Sequence, residues 1–417
     1  MTDLKAISLY SGAGGLDYGF EAAGIGTAVA LEVDPDCCAT LRRNRPWPII
    51  ADDIADVPTE RLLSVAGLKA GEADLLIGGP PCQPFSKSGY WASGDSGRLL
   101  DPRASTLGAF LRVLREAQPR AFLLENVEGL GYRGKTEGLS LIQETIAAIN
   151  NVCGSSYRPS VAVLNAADYG VPQMRRRLFV VAGRDGAHFR FPQPTHADRS
   201  SDFQMDSFQP HITAWDALHD LPGSSNEDLG MKGRWADLLP SIPEGQNYLW
   251  HTDRMGGLPL FGWRRRFWSF LLKLAKDRPA WTLQAQPGPA TGPFHWSNRR
   301  LSVREMCRLQ TFPNDIEIVG TYGSAQRQIG NAVPSLLAEV LGREIRRQLL
   351  ASPAATGSVQ LAIDPARIPV PPAEPVAQVP AKYLALRGTH QAHPGTGRGP
   401  GARRRPPAEK HAELPLE

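Results

Sequence analysis

The chain has 417 residues, 42% of them hydrophobic, and a formal net charge of +4. That is ample for a large core and for more than one domain, and too mild a charge bias to identify a polyanionic partner by itself. Five cysteines, Cys37, Cys38, Cys82, Cys153 and Cys307, are an odd number without paired or zinc-site spacing, which argues against a disulfide framework or a bound metal and for a reducing compartment. The N-terminal Met1 to Lys5 carries no basic and apolar leader pattern and no window holds eighteen apolar residues, so a cytoplasmic protein without a membrane span is expected.

In chain order, short apolar runs at Ala6–Tyr10, Thr27–Leu31, Asp74–Ile77, Ala121–Leu124, Val161–Leu164 and Leu178–Ala182 alternate with helix-like segments. This alternation predicts a doubly wound α/β sheet over residues 1–187. Leu107–Ala117 and Leu139–Ile149 have helical apolar spacing and should cover sheet faces. From His188 to Asn298 the periodicity breaks down into Pro-, Gly- and Trp-rich sequence that holds seven of the nine tryptophans, which marks a second, smaller and irregular domain. Helical spacing returns at Leu301–Leu309, where Ser302 and Glu305 form a capping-box pattern, and at Ser335–Arg347, which should fold back so that 299–351 completes the first domain. Residues 352–417 are rich in Pro and Ala, end near Arg403-Arg404-Arg405, and are expected to be a disordered basic tail.

The first strand opens into Ser11-Gly12-Ala13-Gly14-Gly15-Leu16 ahead of a helix, a turn whose N–H groups can face a polar or anionic ligand. It is not the dinucleotide fingerprint, because Asp17 occupies the third glycine position, which disfavours a dehydrogenase. Glu32, twenty residues after Gly12 and just past the second strand, can accept the hydroxyls of a ribose. Asp53 and Ile54 follow the short apolar run Ile49-Ile50 and place a carboxylate and an apolar side chain where an adenine ring can be held.

Gly78-Gly79-Pro80-Pro81-Cys82-Gln83-Pro84-Phe85-Ser86 presents a thiol just beyond a strand's carboxyl end from a turn stiffened by prolines. Glu125-Asn126-Val127 sets a carboxyl group at the end of another strand of the same sheet, an acid beside a nucleophile. In Gln173-Met174-Arg175-Arg176-Arg177, alternation puts Gln173, Arg175 and Arg177 on one face of an extended segment and Arg176 on the other.

Taken together with Arg299-Arg300-Leu301-Ser302-Val303-Arg304-Glu305-Met306-Cys307-Arg308-Leu309-Gln310-Thr311-Phe312-Pro313 and Gln328-Ile329-Gly330-Asn331-Ala332-Val333-Pro334, these motifs stand in the order found in the DNA cytosine-5 methyltransferases, and residues 6 to 345 resemble that family. The resemblance implies an S-adenosylmethionine-dependent methyltransferase sheet with a target recognition domain at 188–298. It implies catalytic roles for Cys82, Glu125, Arg175 and Arg177, with Arg175 lowering the thiol's pKa and Arg177 helping to hold the base. Contacts to S-adenosyl-L-methionine are implied for Tyr10, Ser11, Gly12, Gly14, Gly15, Leu16, Glu32, Asp53, Ile54, Pro80, Asn331 and Ala332. Double-stranded DNA is the implied partner, with the target base flipped out. Ser86 should approach a phosphate and Arg98 a groove, from a glycine-rich loop that resembles the one the family closes over DNA. Arg264, Arg265 and Arg266, beside Trp263, Phe267 and Trp268, are candidates for phosphate or base contacts. The enzyme is expected to be a nucleoid-associated bacterial monomer, serving either a restriction-modification system with a separately acting endonuclease or no such system. Tyr10 and Ser11 depart from the family's usual Phe and small residue, and Ser105-Thr106-Leu107 is shifted against its usual Thr-Leu pair.

Other assignments are less favoured. Amino-methylating relatives carry an Asp- or Asn-Pro-Pro motif followed by an aromatic, where this chain has Cys82. The transfer-RNA branch carries a Cys-Phe-Thr tripeptide that is absent here. A DNA-binding protein with a dead active site is disfavoured by the presence of all four catalytic residues.

Overall fold

The computed structural model describes residues 4–81, 105–131, 137–198, 208–221, 227–262, 267–351 and 357–387. The strands are β1 (Leu4–Leu9), β2 (Ile25–Leu31), β3 (Ile49–Ile50), β4 (Leu75–Gly78), β5 (Ala121–Val127), β6 (Ser160–Asn165), β7 (Gln173–Met174) and β8 (Arg176–Gly183). All but β7 join one sheet in the order β3-β2-β1-β4-β5-β8-β6. Neighbours from β3 through β5 run parallel, whereas β8 is antiparallel to both β5 and β6. Each of the six predicted strands is therefore present, and the sheet is mixed at one end.

Alternation along the strands divides two cores. Phe122 and Leu124 of β5 and Leu178, Val180 and Ala182 of β8 face the helices α3 (Thr59–Ala66), α4 (Ser105–Ala117) and α5 (Glu137–Cys153), through Leu62, Phe110, Leu114, Ile142 and Ile146. Ala121, Leu123, Phe179 and Val181 point the other way, onto Phe20 of α1 (Gly15–Ala22) and Leu337, Leu341 and Ile345 of α9 (Ser335–Leu349). Strands buried on both faces need such continuous apolar runs. The returning helix α9 packs so closely on α1 that a Cβ on Gly19 would stand 2.2 Å from the Ser335 carbonyl oxygen. That contact seats the C-terminal helix on α1.

Between them lie α2 (Pro35–Asn44), a short strand pair β9 (His196–Ala197) and β10 (Gln209–Pro210), and the one-turn α6 (Ala214–Leu218). β11 (Ala280–Trp281) pairs in parallel with β7, and α7 (Val303–Leu309) and α8 (Tyr322–Asn331) follow. The expected capping box on α7 is present, with Ser302 and Glu305 bonded reciprocally. The irregular region contributes to two cores. Ala214, Leu218, Leu274, Leu283 and Trp296 pack with Ala13, Tyr18, Met306, Leu309 and Ile329, so this part is continuous with the first domain. Leu238, Leu239, Tyr248, Phe261, Phe270 and Phe294 form a separate aromatic-rich core.

The expectation of disorder from residue 352 onward is corrected for 357–387. Main-chain N–H groups of Gln360 and Leu361 donate to the buried Glu339 carboxylate at 2.7 and 2.9 Å, and that of Ala366 to Asp216 at 2.7 Å. Farther on, Lys276 Nζ meets Glu374 at 3.0 Å, and Tyr383, 2% exposed, stacks on Trp235 with ring centroids 5.8 Å apart. Composition favoured disorder because Pro and Ala bury little surface. A few long-range partners outweigh this by supplying acceptors and one aromatic anchor. Among the described residues no helix is long and apolar enough to cross a membrane.

Candidate active site

The register of the sheet assembles the site. Leu31, Leu9, Gly78 and Leu124 lie side by side across β2, β1, β4 and β5. The chain leaves β2, β1 and β4 at this level while β5 runs on to Val127, and the residues next beyond that row are Glu32, Tyr10 with Ser11, Gly79 and Glu125. β2 lies to one side of β1 and β4 to the other, so the crevice at these carboxyl ends is a topological switch point, where open α/β sheets bind ligands.

On the β1–β2 side, Tyr10, Gly12 and Gly14 have positive φ values of 55, 56 and 85°. Among the described residues nothing lies within 4 Å of where a Cβ on Gly12 would be, so the turn leaves an open cradle in front of its main chain. Gly15 is tight instead: a Cβ there would come 2.4 Å from the Val333 carbonyl oxygen and 3.0 Å from Ala332. The motif containing Asn331 and Ala332 thus lies directly against the glycine turn. Ser11 bonds Ser8 at 2.8 Å, Leu16 is buried beneath the turn, and Asn331 is exposed. Glu32 is buried and already accepts three main-chain N–H groups, Gly12 on Oε2 at 2.8 Å and Val33 and Asp34 on Oε1 at 2.9 and 2.8 Å. One lone-pair direction on Oε2 is left for a ligand. Asp53 is exposed, whereas Ile54 turns into the core.

On the β4–β5 side, Gly79 approaches Glu125 so closely that a Cβ would stand 2.9 Å from Oε2. Asn126 Nδ2 donates to the Pro80 carbonyl at 3.2 Å, and Thr106 Oγ1 to that of Pro81 at 3.1 Å. The turn leading to Cys82 is therefore held against the end of β5 and the start of α4. Cys82 itself lies outside the described residues, as do Ser86, Arg98, Arg264, Arg265 and Arg266.

Glu125 is 9% exposed, and its Oε1 lies 3.1 Å from Arg177 Nε. Burial pushes its pKa up, against the opposing pull of Arg177 and Arg175. Burial likewise pulls both guanidinium pKa values down, Arg175 strongly. A guanidinium nevertheless keeps its proton in proteins, so this corner holds two cations and at most one anion. The alternation read from the sequence is present: Gln173 and Arg175 are buried, Arg177 faces Glu125, and Arg176 points outward to Glu128 at 3.0 Å. Arg175 spends its donors on the main chain, with Nη2 at 2.9 Å from the Gly330 carbonyl and 3.3 Å from that of Asn331. It therefore ties the segment after β7 to the turn that abuts the glycine loop, while its Nε is buried with no partner among the described residues.

Several residues to which the sequence assigned no role also shape the site. Gln173 and Gln310 are both fully buried and bonded at 3.1 Å, and Gln310 also reaches the Ile329 carbonyl at 2.5 Å, so they join β7, α7 and α8. Thr106 accepts from the Tyr10 hydroxyl at 2.7 Å, which gives the shifted Ser105-Thr106-Leu107 segment a place between the two halves of the crevice. Asp17 is buried in the first turn of α1, takes a bond from Thr27 at 2.9 Å, and has its pKa pushed up to about 6 by burial. Gln173 and Gln310 stand within sequence motifs, Thr106 within the shifted Thr-Leu segment, and Asp17 is the break in the glycine fingerprint; the partners of Gln173, Gln310 and Thr106, however, lie far off in the chain and leave no local signal. Among the described residues no cluster suits a metal ion.

The family model described as C-5 cytosine-specific DNA methylase matches residues 4–347. The Type II methyltransferase M.SacI of Streptomyces achromogenes is 44% identical over 372 residues, covering 83% of this chain and 94% of its own length. M.NgoFVII of Neisseria gonorrhoeae, also a Type II methyltransferase, is 34% identical, covering 79% of this chain and 83% of its own. A crystal structure of a putative DNA modification methyltransferase from an E. coli prophage has a TM-score of 0.56 at 24% identity, covering 83% and 99% of the two chains. S. pombe Dnmt2 has a TM-score of 0.54 at 17% identity over 84% and 99%, a likeness of fold alone. With its sheet-edge crevice, its motifs in order and a family match over most of its length, the chain belongs to the C-5 cytosine-specific DNA methylases.

Proposed function

We propose that this DNA cytosine-5 methyltransferase acts at the crevice described above, with the cofactor on the β1–β2 side and a flipped-out cytosine on the β4–β5 side. S-adenosyl-L-methionine, the methyl donor the family implies, supplies an electrophilic methyl group on a sulfonium. The open cradle at Gly12, the free lone-pair direction on Glu32, the exposed carboxylate of Asp53 beside Ile54 and the adjoining Asn331 and Ala332 fit such a molecule. Tyr10, Ser11, Gly14, Gly15, Leu16 and Pro80 shape its walls.

The observation that carries the base-side reading is the buried Glu125–Arg177 pair packed on the Gly79 main chain. Cytosine C5 is a weak nucleophile. Attack of the Cys82 thiolate on C6 forms a C–S bond and moves the ring's electron pair to C5, provided that N3 is protonated. Glu125, whose raised pKa favours the acid form, is suited to give that proton. Arg177 fixes the carboxyl's orientation. The cationic surplus from Arg175 and Arg177 favours a thiolate nearby, since a free cysteine with a pKa of about 8.5 is mostly protonated at neutral pH. C5 then takes the methyl group as the methyl–sulfonium bond breaks and its electron pair stays on sulfur, a base removes the C5 proton, and the C6–S bond breaks to restore the ring and return the thiolate while N3 hands its proton back to Glu125.

Residues 188–298 are proposed to read the DNA sequence, with Ser86, Arg98 and Arg264 to Arg266 as further DNA contacts. Service as the modification enzyme of a restriction-modification system, with the endonuclease acting separately, is the biological setting that the Type II relatives support. Bisulfite sequencing of DNA from cells expressing the chain tests the reading: one methylated sequence context is expected, and unmodified DNA from cells containing soluble protein would overturn it. Exchange of residues 188–298 with those of a related enzyme should transfer specificity, and an active chimera that kept its original site would overturn the division of labour.

A further inference from the structure

Three aromatic side chains stand among the exposed large hydrophobics of the described residues: Phe267 at 85% exposure, Trp268 at 55% and Trp281 at 36%. They belong together. Trp268 and Trp281 meet edge to face with centroids 5.7 Å apart, and Phe267 precedes Trp268 in the chain. Their mounting is firm, because Asn247 Nδ2 donates to the Trp268 carbonyl at 2.8 Å and the Phe270 N–H to the Phe267 carbonyl at 2.9 Å, with Phe270 and Leu271 buried just behind. Exposed apolar patches held in place in this way mark interaction sites rather than core.

The surface continues to the base-side corner. Trp281 is in register with Met174, Thr282 Oγ1 bonds the Met174 carbonyl at 2.6 Å, and the chain beyond Met174 delivers Arg175, Arg176 and Arg177. Three arginines, Arg264 to Arg266, directly precede Phe267 in the sequence, which suits a polyanion. Resting on the reading of the chain as a DNA methyltransferase, we propose that Phe267 and Trp268, backed by Trp281, form an aromatic tip that stacks on bases of the duplex beside the flipped cytosine. Extrusion of a base leaves its neighbours without a stacking partner at a cost of a few kcal/mol, and an aromatic face offsets part of that loss whatever base is there.

The test measures affinity of the full-length wild type and of Phe267→Ala, Trp268→Ala and Trp268→Phe for a duplex carrying the sequence that bisulfite mapping identifies. Each alanine change should raise the Kd roughly 5- to 100-fold, the range for losing one stacked base, with Trp268→Phe recovering most of the affinity. The slope of log K against log salt should not change, because no phosphate contact is lost. S-adenosylmethionine affinity and the thermal midpoint should match wild type. Alanine variants within twofold of wild type in Kd and turnover would overturn the proposal, and so would a loss of affinity accompanied by a flattened salt slope or a lowered midpoint. Phe267→Ala, the most exposed change, keeps the test decisive if Trp268→Ala fails to fold. A wild type that methylates no DNA would instead refute the underlying reading.

Discussion

Replacing Glu32 by alanine separates the structural duty of its carboxylate from the cofactor contact proposed for it. Its oxygens accept N–H bonds from Gly12, Val33 and Asp34, and the proposed cofactor needs the remaining lone pair. Val33 is 60% exposed and Asp34 partly so, so water can take over those two donors at little cost. The Gly12 bond is different, because it crosses from the end of β2 to the glycine turn and holds a residue with φ of +56°. A hydrogen bond to a charged group contributes about 1.5–3 kcal/mol, so Glu32→Ala should lower unfolding free energy by about that amount. Loss of a second charge-assisted bond, to the ribose, should weaken S-adenosylmethionine by a further 10- to 100-fold in Kd, at about 1.4 kcal/mol per tenfold. Urea denaturation and isothermal titration calorimetry on the same samples give both numbers. A destabilised variant with unchanged cofactor affinity would show that Glu32 is only a strut for the turn, and the ribose contact would be refuted.

Glu125→Gln should reduce turnover by roughly 10²- to 10⁴-fold, the usual contribution of general acid catalysis, while DNA affinity stays near wild type; full activity would remove Glu125 from proton transfer. Because the folded-state pKa of Glu125 is raised, its acid form is favoured in the native protein: its contribution to stability is complete below the ordinary carboxylate range and is lost as pH rises through the raised value. Wild-type turnover should fall over that same upper limb, and a pH profile of the Gln variant that retained the limb would refute the assignment. Cys82→Ala should abolish methyl transfer but leave cofactor and DNA affinity intact, and wild type should form a denaturation-resistant adduct with a 5-fluorocytosine duplex; methyl transfer by the alanine variant would exclude the covalent route. Tyr383→Ala removes a buried ring that stacks on Trp235 and donates to the Arg234 carbonyl, so it should cost about 3–5 kcal/mol of stability by analogy with other large aromatic truncations, and an unchanged urea midpoint would mean that residues 357–387 do not anchor the fold.

Much of this site could be read from the sequence because its chemistry is local. A strand followed by Glu32, another carrying Glu125 near its carboxyl end, and glycine or proline turns after β1 and β4 each announce a side chain at a strand end, and parallel strands bring such ends to one edge. Alternation is local too, which is why the opposite facing of Arg175 and Arg176 was predictable. Tertiary structure decided what those residues do with their hydrogen bonds. Only the packing of β5 against β8 pairs Glu125 with Arg177 rather than Arg175, and only the return of α8 supplies the carbonyls that occupy Arg175. The antiparallel insertion of β8, the Gln173–Gln310 link across 137 residues and the docking of 357–387 likewise depend on partners far apart in the chain. Their energies come from acceptors and apolar faces that exist only once the rest has folded, so periodicity and composition, which sum over neighbours, carry no trace of them.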